Sequence, residues 1–435
     1  MGFELALIGI VILIGFIGNL IFKKTDIPSI IWLMLLGLIL GPILGYLNQA
    51  PFLAVSDFFS AIAIIIILFE GGIDMDLFKI LKEAPKGAIL TIIAFIETIV
   101  VTTIIVMIMG IWVQGVTLLH GILLGAIIGG TSSAVVIPIV SKLKGISDKA
   151  KMVLSIESAI TDVLCIVTAI AIIQTMQSGQ AELNFILTNI TAQFSIGIIL
   201  GAMIGIIWLW IMQKIKQQEY SYVVTLGILF IIYSVVNYLN GSGAIACLTF
   251  GIILGNGRRI LRGIGYGSIA YEIDQTSRNF HKLISFLIRT FFFVFLGLLV
   301  SIQNPINILI GIIISAGILL TRPFAVKIIA RGNKDFTDLD KKIIGVMMPR
   351  GLAAAVLAYM PMSALPGDTV VKSFADIAFT VILVTTIIAT VGTIYYKRKQ
   401  AKEEEHEKAV KVQRETSEEI PKPKIIELNK KSKKK

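Results

Sequence analysis

The chain has 435 residues, 56% of them hydrophobic and 15% charged, with a formal net charge of +11 and a mean hydropathy of +0.87. A water-soluble globular domain carries about a quarter of its residues as charges, so this composition excludes an ordinary soluble fold. It does not describe a nucleic-acid binder either. Lys and Arg fall in short loops between apolar blocks and in residues 397–435, where 14 basic side chains accompany 8 acidic ones.

Apolar blocks of about 20 residues make the lipid bilayer the expected solvent. Thirteen can be marked: 3–22, 27–46, 56–73, 87–110, 115–141, 152–176, 186–212, 221–239, 243–257, 279–300, 305–329, 343–362 and 373–396. The first ends at Lys23-Lys24, has no positive stretch before it and no small-residue cleavage site, and so reads as a membrane span and not as a signal peptide. The block at 243–257 is the shortest and carries Gly243, Gly251 and Gly255. Only helices satisfy their own backbone groups in lipid, so an all-α polytopic protein is predicted. Cys165 and Cys247 both lie in apolar stretches, which argues against a disulfide framework or a metal site.

Basic residues cluster after every odd-numbered block: Lys23 and Lys24, Lys79 to Lys86, Lys142 to Lys151, Lys214 and Lys216, Arg258 to Arg262, Arg331 to Lys342, and the tail. After even-numbered blocks Lys372 is the exception. The positive-inside rule then puts the N-terminus outside the inner membrane and the tail in the cytoplasm. The tail, 397–435, opens as a charged helix and ends in a Lys-rich, proline-punctuated segment expected to be disordered.

Two blocks carry breaks. The fifth contains Gly129-Gly130-Thr131-Ser132-Ser133 and Pro138; the twelfth contains Met348-Pro349-Arg350-Gly351. Glycine loosens a helix and proline removes a donor, so both could unwind within the membrane. They lie seven spans apart, which suits two six-helix repeats joined by one span. An odd offset inverts the second repeat, a layout of transporters with ion sites between broken helices.

Ionisable groups inside spans are functional candidates because burial penalises their charge. The sixth block holds Glu157-Ser158-Ala159-Ile160-Thr161-Asp162. Ser158 and Asp162, four apart, share a helix face bordered by Thr161. Carboxylate and hydroxyl oxygens suit a hard cation such as Na+. Glu157 lies five residues, about 140°, from Asp162, so the two acids face different partners. An acid that carries ions alternates between protonated and cation-bound forms, and one such aspartate suffices for coupled exchange. Arg322 is the chosen partner for Glu157. Arg350, at the second break, could neutralise half-helix C-termini or line the cytoplasmic path. Arg289 could snorkel, or pair with Glu70 or Glu97.

At this point the chain resembles the cation–proton antiporter superfamily, and within it the NhaP-type sodium/proton exchangers. The resemblance rests on GGTSSAVVIPIVSKL, ESAITD, FFFVFLG, TRPF and MPRGLAAAVLA, in that order and span placement, and covers residues 1–396. It implies a six-helix core moving against a dimerisation domain, broken helices crossing beside the acid of the sixth span, and a homodimer with spans 1, 7 and 8 as candidate contact surfaces. Residue by residue, it implies Asp162 as the ion- and proton-binding acid, Thr131 and Ser158 as further ion ligands, and Glu157 with Arg322 as a structural ion pair. Gly130, Ser132, Ser133, Arg350 and Gly351 would form the crossing. The family usually has Asn-Asp where this chain has Thr161-Asp162, and Thr-Asp where it has Thr131-Ser132. These departures leave the choice between Na+ (or Li+) and K+ open. The expected activity is electroneutral exchange of a monovalent cation for a proton, with no cofactor beyond the transported ions. An intramembrane aspartyl protease would need two carboxylates sharing a proton, and Glu157 and Asp162 point apart. A channel would show flux uncoupled from protons.

Overall fold

The structure, a computed structural model, describes residues 2–25, 27–47, 56–110, 115–143, 145–179, 183–215, 221–263, 275–301, 304–331 and 336–418. Among these residues every regular element is helical. In chain order they are α1 Gly2–Thr25, α2 Ser29–Leu38 with a π-helical extension Ile39–Ile43, α3 Ser56–Asp74, α4 Leu77–Met109, α5 Leu118–Ile127 and α6 Ser133–Lys142. There follow α7 Asp148–Ser178, α8 Leu183–Ile215, α9 Ser221–Tyr238, α10 Gly243–Gly255, α11 Gly257–Gly263, α12 Gln275–Leu299 and α13 Pro305–Ala330. The chain ends with α14 Asp338–Val346, α15 Leu352–Leu357, α16 Met360–Ala364, a 3-10 turn Val371–Ser373 and α17 Phe374–Glu418. Six of these helices are long and apolar enough to cross a membrane, and shorter apolar helices lie between them.

Local chemistry sets the helix ends. Ser147 caps α7 by accepting from the Ala150 amide, and Gly179 stops it with φ 70°, a left-handed value that glycine adopts without strain. Asn304 caps α13, with Pro305 in its first turn. A Thr337–Asp340 capping box starts α14. The helices predicted across 115–141 and 343–362 are each interrupted, at 128–132 and at 347–351, where the glycines and prolines stand. The charged tail continues α17 as far as Glu418. The Lys-rich end expected to be disordered, 419–435, lies outside the described residues.

Small residues bring the helices together, as expected where lipid supplies little hydrophobic drive between spans. The short α10 packs against α3 and α8. A Cβ on Gly251 would overlap the Phe69 carbonyl, and one on Gly72 the Leu248 carbonyl. The glycines that make this block look weak as a span are those that let α10 pack backbone to backbone. The larger buried cluster joins residues of α1 to α7, α10, α12 to α15 and α17, and a smaller one joins α3, α8, α9 and α10.

Candidate functional site: an acid at the crossing of two interrupted helices

The two interruptions meet. The Ser132 amide donates to the Pro349 carbonyl at 2.7 Å, and Gly351 lies so close to the Ser132 side chain that a Cβ would overlap it. Gly130 is pressed against Thr161 and Cys165 of α7 in the same way. Here α7 carries the interrupted α5–α6 segment: the Thr161 hydroxyl accepts from the Thr131 amide at 3.0 Å and donates to the Glu157 carbonyl at 2.8 Å. One threonine thus satisfies an amide that the broken helix leaves without a partner.

Each break exposes helix-end carbonyls, and an arginine meets each of them. Arg350, 2% exposed, donates to the Gly129 carbonyl at 2.7 Å and to the Thr98 hydroxyl at 2.9 Å. Arg322 donates to the Ile344 and Met347 carbonyls at 3.2 and 3.3 Å, at the C-terminal end of α14. These cations oppose the negative ends of the α5 and α14 dipoles. Arg322 also grips Glu157 through two bonds of 2.5 and 2.7 Å, with both residues buried. Glu157 and Asp162 occupy different sides of α7, and the first is fully committed to its ion pair.

Asp162 faces the other way, into a cavity of about 310 Å³. Its walls include Ser132 and Ser133 from the break, Ser155, Ile156 and Ala159 from α7, and Glu70, Asp74 and Asp76 from α3 and its end. The Ser133 hydroxyl faces the Asp162 carboxylate from the first turn of α6, where the helix dipole favours negative charge. Arg289 also lines the cavity and lies 3.5 Å from Glu70, which settles its partner among the sequence alternatives. At the mouth, Asp76 pairs with Arg259 at 2.7 Å. Four acids against two arginines, Arg289 in the wall and Arg259 on Asp76, leave the cavity attractive to cations.

Of the residues singled out in the sequence, Asp162, Ser132, Ser133, Glu70 and Arg289 share this cavity. Thr131, Ser158 and Thr161 lie behind its wall, fully buried. The Ser158 hydroxyl donates to the Ser155 carbonyl at 3.1 Å, and the Thr131 hydroxyl lies 3.4 Å from that of Thr161. The reason is angular. Asp162 stands at one edge of the cavity-facing stripe, which runs through Ala159 and Ser155, while Ser158 lies about 40° beyond the opposite side of Asp162. Arg350 and Gly351 belong to the crossing and do not line the cavity. The sequence gives no mark to Ser155, seven residues and about two turns before Asp162 on one face, nor to Glu70 and Asp74 as walls of the same cavity. It also gives none to Thr98 as a partner of Arg350, since nothing distinguishes a lone threonine.

The family model described as "Sodium/hydrogen exchanger, transmembrane" matches residues 9–396, and the chain belongs to that family. The family consists of transporters and not of enzymes. Curated relatives include a K(+)/H(+) antiporter NhaP2 of Shewanella sp. (strain ANA-3), 30% identical over 343 residues, 76% of this chain and 55% of that protein. Another is a probable Na(+)/H(+) antiporter of Methanocaldococcus jannaschii, 28% identical over 407 residues, 87% of this chain and 93% of that protein. The chain spans about half the length of the NhaP2 relatives it matches. A solved sodium proton antiporter from Methanocaldococcus jannaschii superposes with a TM-score of 0.75 at 23% identity, covering 92% of this chain and 99% of that one. That likeness establishes a shared fold.

Proposed function

We propose that the chain exchanges Na+ for H+ across the cell membrane, one for one, with Asp162 as the group that carries each in turn. The observation that carries this reading is the contrast between the two acids of α7. Glu157 is buried in a bidentate pair with Arg322, whereas Asp162 sits in an acid-lined cavity with a serine hydroxyl before it. A carboxylate with hydroxyl oxygens is a plausible seat for a hard cation. Proton and cation cannot occupy it together, so one must leave before the other binds. Ser133 is the ligand already facing Asp162. Thr131 and Ser158 would join only if the crossing shifts, as alternating access requires.

Thirteen spans in two inverted repeats follow from the same proposal, and the packing supports it. Numbering spans in chain order, α2 with α12 is the pair 2–10, and α10 with α3 is its counterpart 9–3. Both pairs are in intimate contact, and both are closed by glycines: Gly37 and Gly297 in the first, Gly72 and Gly251 in the second. Likewise α4 with α7 corresponds to α13 with α17, both packed together. In this reading the N-terminus is outside, the cavity opens to the cytoplasm, the tail follows it, and the unit is a homodimer.

K+ is the second reading. It is favoured by the K(+)/H(+) names of several relatives and by the serine at Ser132, where the family usually has a carboxylate. One experiment addresses both. Proteoliposomes carrying an imposed pH gradient receive Na+, Li+ or K+ in turn, with Asp162→Asn alongside. The expected result is collapse of the gradient on adding Na+ and silence in the variant. Activity retained by Asp162→Asn overturns the assignment of the carrier, and a response to K+ alone transfers the proposal to that ion.

A further inference from the structure

We propose that the face formed by α13, α14 and α17 holds an anionic glycerophospholipid, with its phosphate among Lys327, Arg331, Lys341 and Lys342 and an acyl chain along α13. These elements line an open groove of about 950 Å³ that is separate from the Asp162 site. The four cations line it together with Tyr396, and no acidic residue lines it among the described residues. Lys341 alone makes an ion pair there, at 2.9 Å to the exposed Asp338. Lys327 and Arg331 have no ion-pair partner among the described residues. Four cations with so little compensation repel one another unless an anion sits among them.

The rest of the wall says which anion. Leu319, Pro323, Phe324 and Ile328 form its apolar side. Phe324 is 64% and Leu320 79% exposed, and they continue a stripe of exposed Ile306, Leu309 and Ile313 spaced at three to seven residues along α13. Such a stripe on a span faces hydrocarbon, so the basic cluster stands where the apolar surface ends. Free phosphate would use the charges and leave that surface idle. A lipid with a phosphodiester head and an apolar chain uses both, and basic pockets between spans on the cytoplasmic side are suited to anionic head groups. Tyr396 stands at the same level, as amphipathic rings do at a membrane interface. The ligand would clasp α13 to α14, the half-helix that leads into the second interruption.

The test is lipid retention by the purified full chain, read by native mass spectrometry and by thermal unfolding in neutral detergent. Phosphatidylglycerol, phosphatidylcholine and inorganic phosphate are added at equal phosphorus. The expected result is that phosphatidylglycerol alone is retained and raises the unfolding midpoint. Lys327→Gln/Arg331→Gln/Lys342→Gln should bind it roughly 100-fold more weakly, given the usual contribution of each basic side chain near a lipid surface. Lys149→Gln/Lys151→Gln/Arg262→Gln, of equal charge change elsewhere, should retain it. If the first variant does not fold, Phe324→Ser, on an exposed face, still decides: it should weaken retention while keeping every charge. Full retention by either groove variant, equal loss in the control, or an equal effect of inorganic phosphate overturns the proposal.

Discussion

Replacing Arg322 with methionine leaves the Glu157 carboxylate buried without its cation. Both residues are sealed from solvent, at 3% and 0% exposure, and removing one partner of such a pair typically costs about 3–5 kcal/mol. The loss here should lie toward the upper end, because Arg322 also serves the Ile344 and Met347 carbonyls. Glu157→Gln is milder. It leaves the buried Arg322 with those two carbonyls and a neutral amide to meet, so its cost should lie toward the lower end of that range, about 3 kcal/mol. The double variant Glu157→Gln/Arg322→Met removes both charges and should recover at least half of the loss of Arg322→Met alone. Equilibrium unfolding of the purified protein in mixed micelles, run as a double-mutant cycle, measures these differences. The reasoning is refuted if Arg322→Met costs under about 1 kcal/mol, the range of a solvent-exposed pair. It is equally refuted if the double variant is no more stable than the single one.

Thr161→Val is nearly isosteric and removes the acceptor for the Thr131 amide at 3.0 Å. It should destabilise the fold by about 1–3 kcal/mol and impair transport, whereas Thr161→Ser should retain both. Activity unaffected by valine would mean that the crossing does not depend on this bond. Gly251→Leu forces a side chain against the Phe69 carbonyl and should cost about 1–3 kcal/mol, while Gly227→Leu, with open space before it, should be close to neutral in a thermal melt. Asp368 lies in the loop after α16. Burial alone would raise its carboxyl, but hydrogen bonds from His120 and from the Val370 and Val371 amides outweigh that and hold it below the ordinary 3.8. A depressed carboxyl contributes stability that is complete above 3.8 and fades as pH falls through the folded value. Asp368→Asn should therefore lower the unfolding midpoint at neutral pH, and the gap to wild type should close in acid. A gap of constant size would show that the charge is not the cause.

Much of this molecule was legible in one dimension because lipid imposes simple rules. A span must be helical and apolar, so composition and block length are enough to announce a helical membrane bundle. Paired glycines loosen a helix, proline removes a donor and arginine is costly inside a span, so Gly129-Gly130 and Pro349-Arg350 marked the two interruptions. Buried charge is costly, so Glu157, Asp162 and Arg322 stood out in a chain that is 56% hydrophobic. What the sequence could not decide is how these features turn toward one another. Ser158 and Ser155 are equally plausible companions of Asp162 by helical spacing. Only the packing of α7 against the α5–α6 break turns Ser155 to the cavity and Ser158 into the protein. Thr161 reads as a potential cation ligand beside the acid, yet in the fold its hydroxyl is occupied by the Thr131 amide and the Glu157 carbonyl. Arg350 finds Gly129 across 221 positions of sequence, a meeting of two helix interruptions that no local pattern encodes. Hydrophobic periodicity and charge cost are properties of a segment in its solvent, whereas hydrogen-bond partners and cavity walls are properties of distant segments brought together. The first kind of information is written along the chain, and the second exists only once the chain has folded.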